Sequence, residues 1–143
     1  MLSWYAELFC KRLSAAQVER VERIARLRTS PEQQFDELIA LLPRYRGAER
    51  RERELELLWT AWRISSFSDR RDRLSNVARE LAAMPRPQLL ELWHKMLGKM
   101  SERRREELLA DLAALAPVVA ALGGRDGVRE SVRAFSDVST WWP

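Results

Sequence analysis

Apolar side chains recur at three- and four-residue intervals along most of this chain, and no segment alternates apolar and polar positions with period two. The pattern predicts amphipathic helices throughout, and local start and stop signals separate them. Leu2, Tyr5, Leu8, Phe9 and Leu13 mark a short first helix. Ser14 followed by Gln17 has the form of a capping box, opening a helix over about 15–28 that turns Val18, Val21, Ile24 and Leu27 inward. Ser30-Pro31-Glu32-Gln33 is the strongest cap in the chain. The hydroxyl accepts early N–H groups, Pro fits the first turn, and Gln33 reaches back, so a helix bearing Phe35, Leu38, Ile39 and Leu42 should run to Pro43.

After a loop at "RYRGAER", Leu55, Leu58, Trp59 and Trp62 share one face of a helix over about 48–66. Ser68 is expected to cap the next, with Leu74, Val77, Leu81 and Met84 inward until "MPRP" imposes a turn. Leu89, Leu90, Trp93, Met96, Leu97 and Met100 form another stripe. Ser101 is expected to cap a helix bearing Leu108, Leu109, Leu112 and Leu115, which Pro117 kinks or restarts before Gly123-Gly124 closes it. A last helix over about 126–137 offers Val128, Val132 and Phe135.

A triplet recurs along this series. Phe67-Ser68-Asp69, Met100-Ser101-Glu102 and Phe135-Ser136-Asp137 lie 33 and 35 residues apart, close to the period of two-helix repeats. The flanks "FSDRRDRLSNVARELAAMP" and "MSERRREELLADLAALAP" agree as well, with a looser copy in "TSPEQQFDELIALLP". A single helix pair has too little apolar surface to fold alone, and stacking the next pair buries it. The predicted fold is therefore all-α, about seven to eight helices arranged as antiparallel pairs in a short α-solenoid or compact helical bundle. It forms one domain over 1–143, with 1–29 an N-terminal helical cap and 30–143 the repeats. The Ser-acid pair is assigned the structural role of starting each second helix. Trp141 and Trp142 then stand where the last groove needs a plug, against residues such as Leu112, Leu115 or Val132. The competing reading makes them an outward anchor for a protein partner.

Composition supports a folded chain: 46% of the 143 residues are hydrophobic and 32% charged, with only five Gly. The formal charge of +4 is a mild bias, because 25 basic and 21 acidic residues are interleaved. Of the basic residues 22 are Arg, in clusters. Arg44 and Arg46 flank Tyr45, while Arg70 and Arg71 match Arg103, Arg104 and Arg105 in the repeat. Stacked repeats would align these as a ridge able to contact phosphates, with Tyr45 free to stack on a base. Asp69, Asp72, Glu102, Glu106 and Glu107 occupy the same turns, and a salt-bridged surface is the preferred reading.

No catalytic constellation stands out. Cys10 is the single cysteine and His94 the single histidine, so neither an internal disulfide nor a His/Cys metal site is expected. His94 in "LWHKM" lacks a Glu-x-x-His partner, and "LGGRDG" follows no strand and so is no phosphate cradle. No cofactor is expected. The opening "MLSWYAELFCKRL" is a poor signal peptide and "LAALAPVVAALGG" is too short to span a bilayer, so the expected location is cytoplasmic, away from membranes.

The repeats, with "LGGRDGVRESVRAFSDVSTWWP" after them, resemble tandem two-helix repeat segments at the C-terminal ends of bacterial signal-transducing NTPases and caspase-like conflict proteins. The resemblance covers about residues 30–143. The chain has no "GxxxxGK[ST]" loop and no Cys/His protease pair, so what the resemblance implies is only an interaction module. The expected function is a non-enzymatic helical adaptor or scaffold binding another protein, within a bacterial defence or signalling system. The alternative is a small basic helical subunit of a ribonucleoprotein or defence effector that contacts nucleic-acid backbone.

Overall fold

The computed structural model of the chain describes residues 12–141, and only the backbone of Phe135, Val138, Ser139 and Trp141. The expected first helix over Leu2–Leu13 and Cys10 lie largely outside the described residues. Within them the structure is all-α: α1 (Ala15–Arg26), α2 (Pro31–Leu41), a single 3-10 turn (Leu42–Arg44), α3 (Gly47–Trp62), α4 (Phe67–Leu81), α5 (Arg86–Met100), α6 (Arg105–Ala114) and α7 (Ala116–Trp141). The chain divides into two compact units, the first ending at Arg73 and the second beginning at Leu74, inside α4.

In the first unit α2 packs against both α1 and α3. The capping box at α1 forms as expected. The Ser14 hydroxyl accepts from the Gln17 N–H at 3.3 Å, and the Gln17 side chain accepts from the Ser14 N–H at 2.8 Å. Ser30 caps α2 by accepting from the Gln33 N–H at 3.3 Å, and its hydroxyl donates to the Glu32 carboxylate at 2.6 Å. That bond holds the Glu32 carboxyl below its ordinary range. Phe35, Leu38, Leu41, Leu57, Leu58, Ala61, Trp62 and Ile64 are buried, and Trp59 meets Trp62 edge to face at 6.3 Å between centroids.

The expected apolar stripe of α1 is corrected. Ile24 is 47% exposed and Leu27 77% exposed, whereas Val18, Glu22 and Ala25 face inward. The helix is rotated so that Glu22 enters the interior, where Tyr45 and Arg53 meet its charge. On α3, Glu54 is likewise buried, paired with Arg50 at 3.1 Å and with Arg51. A buried carboxylate is tolerated only with such partners.

In the second unit α7 packs against α5 and α6. Leu74, Val77, Ala78 and Leu81 of α4, Leu89, Leu92, Met96 and Met100 of α5, and Ala114, Leu115 and Val118 are its buried apolar side chains. Leu90 and Leu97, expected inward, are exposed, and Leu92 takes the inward place. The chain bends by 75° between α6 and α7, with Pro117 in the first turn after the bend, as expected for a restart. Gly124 then breaks α7 with φ 64° and ψ −161°, a backbone state open only to glycine. A Cβ placed on Gly127 would stand 3.7 Å from the Val119 carbonyl oxygen. Residues eight apart in an unbroken helix are separated by about 12 Å along its axis, so the two arms of α7 fold toward each other.

The triplet repeat does not correspond to a repeated structural position. Phe67 starts α4, Met100 ends α5, and Phe135 lies within α7. Ser66, not Ser68, caps α4, accepting from the Asp69 N–H at 3.4 Å. Ser101 caps no helix start. It follows the end of α5, its hydroxyl donating to the Gly98 carbonyl at 2.6 Å, and α6 begins four residues later without a side-chain cap.

Candidate functional site

The basic and aromatic residues singled out as nucleic-acid contacts are mostly engaged within the fold. Tyr45 is buried beside Val18 and Leu41, its hydroxyl donates to the Glu22 carboxylate, and the Arg53 guanidinium lies 5.1 Å above its ring. It cannot stack on a base, which corrects that expectation. Burial first, then the bond to Glu22, pushes the Tyr45 phenol up to about 12. Arg53 also reaches Glu22 at 3.0 Å and Glu56 at 3.2 Å. Arg26 forms a two-point bond to Glu56 at 2.8 and 3.0 Å, which holds the Glu56 carboxyl below its ordinary range. This cluster ties α1 to α3.

Arg44 donates to the Leu13 carbonyl at 2.8 Å, and Arg46 to the carbonyls of Pro43 at 2.6 Å and Tyr45 at 2.8 Å. Arg70 is fully buried and donates to the Ile64 carbonyl at 2.8 Å, just past the end of α3, so it is removed from any surface ridge. Arg71 is exposed and meets Asp72 at 3.3 Å. Arg103 approaches the buried Asp111 at 4.0 Å, while Arg104 and Arg105 are exposed. His94 is exposed, and Glu91 pairs with Lys95 at 3.0 Å. Among the described residues no cluster of three His, Cys, Asp or Glu side chains could hold a metal ion. No single helix among them is long and apolar enough to cross a membrane.

The second unit holds a groove that includes Leu112 and Val132, two of the residues expected to line a last groove, whereas Leu115, also expected there, is fully buried. It is lined by Leu109, Leu112 and Ala113 of α6, by Ala116 and Val119 of the first arm of α7, and by Val128, Ser131, Val132 and Ser136 of the second arm. Its volume is about 440 Å³. Leu109 is 41% exposed and Val132 60% exposed, so two large apolar side chains of its lining remain accessible. The bend before α7 and the break at Gly124 together create it. Ser131, which would otherwise present a hydroxyl to this apolar surface, donates to the Gly127 carbonyl at 2.8 Å.

The charged side chains among the described lining residues are arginines. Arg105 is one of the residues that line the groove, and a second hollow sharing Val128 is lined by Arg125 and Arg129. No carboxylate is among the described residues that line either. Leu109, Leu112 and Val132 were read from sequence as inward positions, and only the reversal of α7 at Gly124 leaves them facing an open cleft. Trp142 lies outside the described residues, as does the side chain of Trp141. No protein-family model matches the chain, and comparison with curated proteins and with solved structures gives no match.

Proposed function

We propose that the protein is a non-enzymatic helical interaction module that engages another protein through the apolar groove between α6 and the two arms of α7. The observation that carries this reading is the exposure of Leu109 and Val132 in a cleft lined mainly by apolar side chains, with Arg105, Ser131 and Ser136 its polar members among the described residues. Burying such side chains against a partner contributes about 1–2 kcal/mol each, and a concave apolar surface is a common seat for a protein segment. The reading is preferred over contact with nucleic-acid backbone because Tyr45 and Arg70 are buried and Arg44 and Arg46 are bonded to main-chain carbonyls. The adaptor's setting, a bacterial defence or signalling system in the cytoplasm, belongs to the same proposal.

The test is site-resolved. A photo-crosslinking residue at Val132 is expected to yield discrete protein adducts in the native host that survive nuclease and disappear with Leu109→Asp, whereas the same residue at the exposed His94 yields none of them. Adducts confined to nucleic acid, or identical adducts from both positions, reject the reading.

A further inference from the structure

We propose that the groove receives an acidic amphipathic helix from another protein, an inference that rests on the groove being the interaction site. Two properties of the cleft select this occupant. The first is its shape. A cavity of about 440 Å³ falls within the roughly 300–1,000 Å³ that holds small ligands, but those ligands bury 70–90% or more of their surface. Leu109 and Val132, which line the cleft, are 41% and 60% exposed, so apolar surface there is left for an occupant to cover. An open trough between helices instead fits a helix laid along it, which inserts the apolar side chains of one face and leaves the other face in water.

The second property is charge. Arg105, which already engages another group, lines the groove, and Arg125 and Arg129 line a hollow that shares Val128 with it, without any lining carboxylate among the described residues. Arg129 also meets Asp126 at 3.7 Å, but both side chains are largely exposed, so that pair is screened and readily exchanged for a partner's carboxylate. Carboxylates on the flanks of a bound helix gain from this arrangement and lysines lose. An anionic bilayer would meet the same arginines, so vesicle sedimentation is measured beside peptide binding.

The full chain is titrated against a fluorescein-labelled 16-residue peptide with leucines at helical spacing and glutamates between them, and against its twin with lysines replacing the glutamates. The glutamate peptide is expected to bind at least about tenfold more tightly at low salt, with the difference shrinking as salt rises. Leu109→Asp with Val132→Asp is expected to abolish binding. Arg105→Glu with Arg129→Glu is expected to invert the preference. All four side chains are partly or largely solvent-exposed, and circular dichroism confirms that each variant folds. Equal binding of both peptides, lost together in the Leu109/Val132 variant, overturns the charge inference and leaves the groove reading standing. If neither peptide binds while the chain sediments with anionic phospholipid vesicles, or forms a dimer that Val132→Asp dissociates, the occupant is wrong and the proposal falls. It falls equally if peptide binds only after Trp142 and Pro143 are removed, since the tail is then the occupant.

Discussion

The phenol of Tyr45 donates its proton to the carboxylate of Glu22, which lies 23 residues earlier in the chain, and both side chains are buried. Each removes a liability of the other, because a buried hydroxyl and a buried carboxylate are both costly without partners. The bond exists only while the phenol is neutral. In the unfolded chain a tyrosine ionises near 10, and in the fold Tyr45 is pushed up to about 12. A folded value raised above the unfolded one gives stability that is fully present below pH 10 and lost as pH rises through the folded value. Unfolding midpoints are therefore expected to fall between about pH 10 and 12, and Tyr45→Phe to flatten that fall. Absorbance titration of the native protein should show a tyrosine ionising near 12 that disappears in the variant.

At the acid end the sign reverses. Arg26 holds the Glu56 carboxyl below its ordinary value through the two-point bond between α1 and α3. The resulting stability is present above the unfolded carboxyl range and is lost as pH falls through the depressed value. Glu56→Gln should therefore lower the midpoint at neutral pH and make little difference once the wild-type carboxylate is itself protonated. Denaturant melts of both proteins across the acid range check this.

Arg70 tests whether a basic residue from the repeated triplet region serves the fold or a phosphate. Its guanidinium is fully buried and bonded to the Ile64 carbonyl. Arg70→Ala leaves a cavity and an unsatisfied carbonyl, a loss of about 3 kcal/mol. A midpoint lowered by about 10 °C is expected, and an unchanged midpoint would show that the side chain is not held inside.

The all-helical class and the helix starts at Ser14 and Ser30 were legible because their causes are local. Ser14, Gln17, Ser30 and Pro31 act within one turn of where they stand, and the structure uses each of them. Burial was less legible because it depends on distant partners. The periodic rule places Ile24 and Leu27 inward, but Glu22 takes the interior because Arg53, 31 residues away, neutralises it there. The triplet misled for a related reason. Similar short strings at 67, 100 and 135 sit at a helix start, a helix end and a helix interior, since Ser66 captures the cap at the first and Gly98 captures the hydroxyl at the second. The repeat pattern pointed to a last groove at Leu112 and Val132, but periodicity records the apolar character of Leu109 and Val132 and not whether anything covers them.

The caps therefore separate cleanly by substitution. Ser30→Ala removes an acceptor for the Gln33 N–H and the hydrogen bond to Glu32, and should cost about 1 kcal/mol. Ser66→Ala should cost a similar amount at the start of α4, whereas Ser68→Ala, already inside the first turn, should change stability by less than about 0.5 kcal/mol. Equal losses at Ser66 and Ser68, measured by chemical denaturation, would contradict the assignment.

Adjacent glycines at the break in α7 should respond in opposite directions. Gly124 holds φ 64° and ψ −161°, while Gly123 has no positive φ, and a Cβ at either would meet nothing within 4 Å. Crowding therefore decides neither substitution, and the backbone decides both. Gly124→Ala forces an L side chain into a region reserved for glycine and should cost about 1–3 kcal/mol. Gly123→Ala reduces the freedom of the unfolded chain and should stabilise by about 0.4–1 kcal/mol. The break also sets the groove, because the arm carrying Val128 and Val132 lines it together with Val119 only while α7 doubles back. If Gly124→Ala relieves its strain by straightening the helix, that arm swings away from Val119. The variant should then gain helical circular dichroism signal while losing the apolar cleft, seen as loss of the glutamate-peptide complex with Leu109 and Val132 themselves unaltered. Retention of full peptide affinity in a straightened α7 would separate the binding surface from this groove.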